Sequence, residues 1–137
     1  MYRVIILLLM IISFPQEKQA LPDLVGKWKV ESLNMAQGAS KTNQKEKAII
    51  YNQFVKYFSN ATFEFKADYH CFTSVKMPEM PLITYWKYNA TKNQVELKTA
   101  KNDDSLIMAF EIIEKNGDVF FAMSDAPLVM KMRRLSN

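Results

Sequence analysis

The sequence predicts an all-β fold with one helix, in which an antiparallel meander closes into a small barrel and the helix lies between the first and second strands. Three observations lead to this fold class. Most of the chain after residue 23 consists of short segments in which apolar and polar residues alternate, as in strands with one buried face. Residues 44–58 instead carry apolar residues four positions apart, which indicates an amphipathic helix. Asn116-Gly117 joins two alternating segments and favours a tight hairpin, because both residues tolerate positive φ.

The composition limits the chemistry that the chain can perform. Its 137 residues are 49% apolar and 23% charged, which is typical of one folded domain. With one Cys and one His, the chain cannot form an internal disulfide, a multi-Cys metal site or a two-His metal motif. The formal net charge of +4 is spread along the chain, so we expect no nucleic-acid partner. We also expect no cofactor and no bound metal.

The N-terminal segment has the features of a secretory signal peptide. Arg3 precedes the apolar run Val4–Phe14, which is too short to cross a bilayer, since a spanning helix takes about 20 residues. Pro15–Ala20 is polar, and we expect cleavage after Ala20, so that residues 1–20 are the signal peptide and residues 21–137 the barrel domain. A short buried helix and an uncleaved anchor are the alternatives. The mature protein is expected to be secreted or periplasmic, with no integral membrane span.

The first two elements differ in their hydrophobic period. Residues 24–33 alternate, with Trp28 and Val30 on one face, and predict the first strand. Residues 44–58 predict the helix, with Ile50, Phe54 and Phe58 on its apolar face. Thr42 or Asn43 is expected to cap its N-terminus.

Six further segments predict strands. Residues 62–75 alternate throughout and predict one long strand with a bend or bulge, which places Phe63, Phe65 and Tyr69 on its inward face. The remaining strands are expected at residues 82–88, 93–99, 105–114, 118–124 and 128–135. Across the Asn116-Gly117 hairpin, Ile112 is expected opposite Phe121.

Two motifs give a resemblance to a known family. Leu24-x-Gly26-x-Trp28 opens the first strand, and Phe63-x-Phe65-x-x-Asp68 follows after the helix, without the Gly that the family has after this Asp. Together with the order of the elements, they resemble the small lipocalin-like domains of secreted bacterial proteins, in the calycin group. The position of the helix is closer to fatty-acid-binding proteins, but the Arg-x-Tyr with which those proteins hold a carboxylate is missing from the last strand.

The resemblance implies a role for several residues. In lipocalins the Trp of the Gly-x-Trp motif packs under an Arg from a late strand. Gly26, Trp28 and Arg134 are therefore expected to form a structural barrel base, with Arg133 as the second choice for the cation.

The expected function is non-enzymatic binding of a small apolar or amphipathic ligand inside the barrel. The candidate ligand-binding residues share the inward face: Phe63, Phe65, Tyr69, Trp86, Phe110, Ile112, Phe121, Met123 and Met130. The alternative is a protein–protein interaction or inhibitor module with a packed interior, whose partner would meet the outward pair Ile113 and Phe120. A connected cavity would favour the carrier, and a filled interior would favour the module. Catalysis is not expected, because the neighbouring residues His70 and Cys71 point to opposite faces of a strand.

Overall fold

The computed structural model describes residues 23–35, 44–124 and 126–136. The expected signal peptide and the expected helix caps, Thr42 and Asn43, lie outside the described residues. The elements in chain order are β1 (Gly26–Met35), α1 (Gln44–Phe58), β2 (Thr62–Phe65), β3 (Cys71–Thr73), β4 (Tyr85–Asn89), β5 (Gln94–Lys98), β6 (Leu106–Lys115), β7 (Asp118–Met123) and β8 (Leu128–Ser136). A 3-10 turn, Asp103–Ser105, precedes β6. Among the described residues, no helix has the length and apolar content needed to cross a membrane.

The eight strands form one antiparallel sheet that is nearly closed. Their order in the sheet is β3-β2-β1-β8-β7-β6-β5-β4, so the first and last strands of the chain are neighbours. The two edge strands meet where His70 bridges Tyr85, and the Trp86 backbone N–H donates to the Tyr69 carbonyl oxygen at 2.9 Å. The predicted fold class is confirmed: a mostly antiparallel barrel with α1 between its first two strands.

The prediction of a single strand over residues 62–75 is wrong, because this segment is a hairpin. Phe65 of β2 pairs with Cys71 of β3, and residues 66–70 form the turn between them. The turn has an odd number of residues, so odd-numbered side chains point inward on both arms and the alternation runs through the turn unbroken. Phe63, Phe65 and Cys71 are buried as predicted from this alternation, whereas Tyr69 lies in the turn and is 57% exposed.

The helix α1 has the predicted bounds, and its inner face contributes to the barrel interior. Phe58 is fully buried and its ring centroid lies 6.4 Å from that of Phe63 and 6.3 Å from that of Phe110. The Tyr51 hydroxyl donates to the Leu33 carbonyl oxygen of β1 at 3.0 Å. Ile50, which was expected on the apolar face, is 37% exposed, so the inner face is rotated towards Tyr51.

The first strand begins at a residue whose backbone conformation explains the Gly-x-Trp motif. Gly26 is buried and has a φ of 135°, a value that residues with a side chain rarely adopt. Two positions later, Trp28 is 4% exposed and its Nε1 donates to the Leu24 carbonyl oxygen at 3.0 Å. The conformation of Gly26 thus lets the chain turn into β1 with Trp28 facing the interior.

Candidate functional site

The interior of the barrel is filled by aromatic rings that were expected to line a cavity. Phe63, Phe65, Phe110 and Phe121 are each 0% exposed. Their centroids lie 5.8 Å apart for Phe110 and Phe121, 5.9 Å for Phe63 and Phe110, and 6.3 Å for Phe65 and Phe121. These separations are those of rings in direct contact. The four phenylalanines therefore form a packed core, with Phe58 of the helix completing it.

Three other predicted ligand-binding residues also belong to this core or its margin. Met130 is fully buried, and Ile112 is 5% exposed and pairs with Phe121 as predicted. Met123 is partly buried and packs against the core from the edge of β7. Of the nine predicted residues, Tyr69 and Trp86 are the two that line the larger cleft described next.

A cleft of about 700 Å³ opens at the rim of the barrel, where the β2–β3 turn faces β4. We call it the rim cleft. Its lining residues are Asp23, Leu24, Val25, Ala67, Asp68, Tyr69, Tyr85, Trp86, Lys87, Tyr88, Lys98 and Lys101. They come from the residues before β1, from the β2–β3 turn, from β4, and from the end of β5 and the segment after it, so the cleft depends on the approach of the two sheet edges.

Aromatic rings form one wall of the rim cleft. The ring of Tyr69 packs against that of Trp86 at a tilt of 46°, with centroids 5.3 Å apart, and Trp86 contacts Phe65 at 5.4 Å. The Trp86 Nε1 donates to the Lys66 carbonyl oxygen at 2.9 Å, which fixes the orientation of the indole. Next to this pair, the rings of Tyr85 and His70 lie 4.8 Å apart. Through Trp86, the wall therefore packs directly against the core.

Lysines form the other part of the lining. Lys98 is opposite Tyr85 in the sheet, is 3% exposed, and donates to the Lys101 carbonyl oxygen at 3.4 Å. The ammonium of Lys101 lies 5.7 Å from the centroid of the Tyr85 ring. Lys87, which lies between Trp86 and Tyr88 in the sequence of β4, also lines the cleft.

The two carboxylates of the lining each contact a basic side chain. The Asp68 carboxylate lies 3.0 Å from His70 Nδ1, and the Asp23 carboxylate lies 3.8 Å from Arg134 Nη2. The His70 backbone N–H donates to Asp68, and this bond, followed by the contact with the His70 ring, holds the pKa of Asp68 below its ordinary value of 3.8. Asp68 is therefore ionised at neutral pH, with its charge directed towards His70.

The turn that carries Tyr69 is strained. The Tyr69 N–H donates to the Lys66 carbonyl oxygen and the Lys66 N–H donates to the His70 carbonyl oxygen, both at 2.9 Å. Tyr69 has a φ of 72°, which is the left-handed conformation that a hairpin of this kind normally gives to Gly. A bulky aromatic residue in this conformation is uncommon, and such strain is concentrated at functional sites.

A second, smaller cavity adjoins the rim cleft and shares Asp23 and Leu24 with it. Its volume is about 290 Å³, and its lining includes Trp28, Ile112 and Arg134. The Arg134 guanidinium carbon lies 4.2 Å from the centroid of the Trp28 ring, and the guanidinium donates to the carbonyl oxygens of Val25 and Asp23. The structure therefore brings Trp28 and Arg134 together two residues after Gly26, with Arg134 rather than Arg133 over the indole.

The residues that were considered for catalysis are not arranged as a nucleophile and base. Burial, together with the charge of Glu64, raises the pKa of the Cys71 thiol to about 12, so its nucleophilic thiolate form is scarce at neutral pH. His70 is at the rim and contacts Asp68 and Tyr85. Within the described ranges, no group of three or more His, Cys, Asp and Glu side chains is placed to hold a metal ion.

Sequence reasoning missed most of the rim cleft. Tyr85, Tyr88, Lys87, Lys98 and Lys101 were not among the candidates, because they face the rim and not the interior. The density of aromatic residues in Tyr85-Trp86-Lys87-Tyr88 is a signal that could have drawn attention to β4. The approach of β4 to the β2–β3 turn depends on closure of the barrel and has no local signal.

The fold and the cleft define a class of protein: a nearly closed, eight-stranded antiparallel barrel with a packed interior and an aromatic cleft at its rim. No protein-family model matches the chain, and no curated protein matches it. Among solved structures, a DUF4847 family protein from Bacteroides vulgatus is similar to 82% of this chain, over 94% of its own, with 14% sequence identity and a TM-score of 0.45. A likeness at this level assigns no function.

Proposed function

We propose that the protein is a secreted, lipocalin-like, non-enzymatic binding protein that holds a small amphipathic ligand in the rim cleft. The observation that carries the proposal is the aromatic wall of Tyr69, Tyr85 and Trp86 around a cleft of about 700 Å³. This volume lies within the range of small-molecule sites, which combine apolar and aromatic walls with a few polar groups and occur in the mouths of β-barrels. The apolar N-terminal run supports export.

The packed interior favours a ligand site outside the core. A ligand among Phe63, Phe65, Phe110 and Phe121 would have to separate rings that already contact one another. Opening such a core costs several kcal/mol, because its dispersion contacts are lost. The rim cleft requires no such opening, so the proposed site lies at the mouth and not at the centre of the barrel.

The test is a fluorescence titration with phenylnaphthylamine, a neutral aromatic probe. We expect a dissociation constant in the micromolar range, equivalent to about −8 kcal/mol. Tyr69→Gly should weaken binding about tenfold, because it removes a stacking surface without adding a side chain in the left-handed conformation. Phe72→Ala is the matched control, since Phe72 is on the same hairpin and 56% exposed but does not line the cleft. Equal binding by both variants would contradict the proposal.

A second candidate is a protein–protein interaction or inhibitor module with a packed interior. The filled core favours it, and so does the pairing of Ile113, which is 37% exposed, with Phe120 across the β6–β7 hairpin. Two apolar side chains at this position offer a partner a small contact surface. Wild-type protein that is folded by circular dichroism and leaves the probe unbound would favour this candidate over the first.

A further inference from the structure

We propose that the rim cleft binds an extended peptide, which adds as a short antiparallel strand to the open edge of β4 at Tyr88. This inference rests on the proposed function and adds the chemical class of the ligand, a peptide in which apolar and polar residues alternate. It is carried by the backbone of β4, which is hydrogen-bonded along one side and largely open along the other.

β4 meets the other edge of the sheet only at its beginning. All five of its residues pair with β5 on one side. On the other side, the Thr84 carbonyl oxygen accepts from the Cys71 N–H and the Trp86 N–H donates to the Tyr69 carbonyl oxygen, both at 2.9 Å. The Tyr69 N–H turns back to its own hairpin, so closure of the barrel stops at the second residue of β4.

The backbone groups of Tyr88 point to this open side. In an extended strand the N–H and C=O of one residue face the same side, and those of the next residue face the opposite side. Because the Trp86 N–H faces Tyr69, the N–H and C=O of Tyr88 face that side too, away from β5. Outside the strand ladders, no hydrogen bond of the described residues reaches either group. Tyr88 lines the rim cleft, which therefore contains an unused donor and an unused acceptor on one residue.

These two groups match one residue of an extended peptide. Directly opposite residues of an antiparallel pair exchange two hydrogen bonds, in which each residue gives its N–H to the carbonyl oxygen of the other. Strand addition of this kind binds peptides at open sheet edges, with affinity from the backbone and specificity from alternate side chains. The antiparallel direction is that of the His70–Tyr85 bridge at the same edge.

The face of β4 sets the side-chain pattern of the peptide. Residues that exchange hydrogen bonds across two strands carry their side chains on the same face of the sheet. Tyr88 shares its face with Trp86, which is 7% exposed and packs against the core, so the peptide residue opposite Tyr88 also faces inward. A β-branched apolar residue suits this position beside an aromatic ring. The adjacent peptide residues face outward and are polar.

The surroundings of the open edge favour a peptide over a second copy of the barrel. The β2–β3 turn and residues 23–25 also line the cleft, so the edge is flanked by other segments of the chain. A cleft of about 700 Å³ has room for a few residues of one extended chain, whereas a folded barrel would have to insert a strand of its own. The added strand is short, because Tyr69 already occupies the position beside Trp86.

Methylated peptides test the backbone pairing on wild-type protein. The probe is fluorescein-labelled Thr-Val-Thr-Val-Thr amide, and fluorescence anisotropy measures its binding. N-methylation of both valines removes the N–H groups that face β4, whereas N-methylation of the last two threonines removes N–H groups that face away. We expect the threonine-methylated peptide to bind within about twofold of the unmodified one, and the valine-methylated peptide about tenfold more weakly. Equal binding of all three peptides, or a loss confined to the threonine-methylated one, would refute the pairing.

Two substitutions at Tyr88 test the same pairing from the protein side. Tyr88→Val removes the ring but keeps the backbone N–H, whereas Tyr88→Pro removes both, and proline is tolerated on an edge strand whose N–H is outside the ladder. The peptide should bind Tyr88→Pro about tenfold more weakly than Tyr88→Val, as for one lost hydrogen bond, and phenylnaphthylamine should bind both variants equally. Circular dichroism verifies folding, and peptide binding that is equal in the two folded variants would contradict the inference.

The outcomes separate this inference from the proposed function. If phenylnaphthylamine binds wild-type protein and binds Tyr69→Gly more weakly, but the peptide does not bind, the rim cleft is a binding site and the peptide class is wrong. If neither probe binds the folded protein, both proposals fail. Wild-type protein that is a dimer by size-exclusion chromatography, with Tyr88→Pro a monomer, would identify a second copy as the occupant of the edge and overturn the inference.

Discussion

The strained turn at Tyr69 predicts an unusual order of stabilities for two substitutions. At most exposed positions Ala is more stabilising than Gly, because Gly loses more backbone freedom on folding, at a cost of about 0.5–1 kcal/mol. At residue 69, where φ is 72°, a residue with a Cβ costs about 1–2 kcal/mol and Gly does not. The two effects oppose each other and the second is larger. Tyr69→Gly should therefore be more stable than Tyr69→Ala by about 0.5–1 kcal/mol.

Urea denaturation of the two variants measures this difference directly. Both variants lose the ring of Tyr69 and its contact with Trp86, so that loss cancels in the comparison. With a slope of about 2 kcal/mol per molar urea, the midpoint of Tyr69→Gly should lie about 0.3–0.5 M above that of Tyr69→Ala. The control pair is Phe72→Gly and Phe72→Ala in β3, where extended backbone should give the ordinary order, with Ala more stable.

Equal stability of the two Tyr69 variants, or a more stable Tyr69→Ala, would refute the strain at this turn. The same result would remove the reason for regarding Tyr69 as a residue kept for binding. A Tyr69→Gly variant that is more stable but binds phenylnaphthylamine poorly would show that the Tyr69 ring contributes to binding at a cost in stability.

Three further predictions concern the barrel base, the pH dependence and export. Trp28→Ala should lower the free energy of unfolding by about 3–5 kcal/mol in urea, because the indole is 4% exposed; a wild-type melting curve would refute its role at the base. The lowered pKa of Asp68 means that its bond to His70 stabilises the fold above the ordinary pKa of 3.8 and is lost as pH falls through the lower folded-state pKa. Asp68→Asn should therefore flatten the acid limb of a plot of urea midpoint against pH, and an unchanged limb would contradict the assignment. N-terminal sequencing of the exported protein should begin after Ala20, and a start at Met1 would exclude cleavage.

The local spacing of apolar residues was sufficient to predict most of the fold. The helix at residues 44–58, the Asn116-Gly117 hairpin and the pairing of Ile112 with Phe121 each depend on residues close in sequence, so pattern and structure agree. The hairpin at residues 62–73 could not be read in the same way. Its five-residue turn leaves odd-numbered side chains on the inward face of both strands, so the alternation shows no break. Tyr69 also stands at the left-handed position, where a Gly would have indicated a turn.

The site was harder to predict than the fold, because it depends on volume and on closure. Alternation shows that Phe65, Phe110 and Phe121 point inward, but it does not show whether inward rings leave a void between them. The space between the strand rings is also filled by Phe58, which comes from the helix and is therefore not part of any strand pattern. The rim cleft, in turn, forms where β4 meets the β2–β3 turn, a contact between segments that are neighbours only after the sheet curls.

The pairing of β1 with β8 has a consequence for the order of folding. Val25 and Arg134 are joined by a hydrogen bond although they are 109 positions apart, and β1 pairs with β8 along most of its length. Contacts of such long sequence separation slow folding, because the loop between them has to close first. During synthesis, β1 can pair with β2 early, but its pairing with β8 and the contact of Trp28 with Arg134 wait for the last strand. The barrel therefore cannot close around a partial chain, and a truncation that removes β8 is expected to leave β1 with only one of its two neighbouring strands.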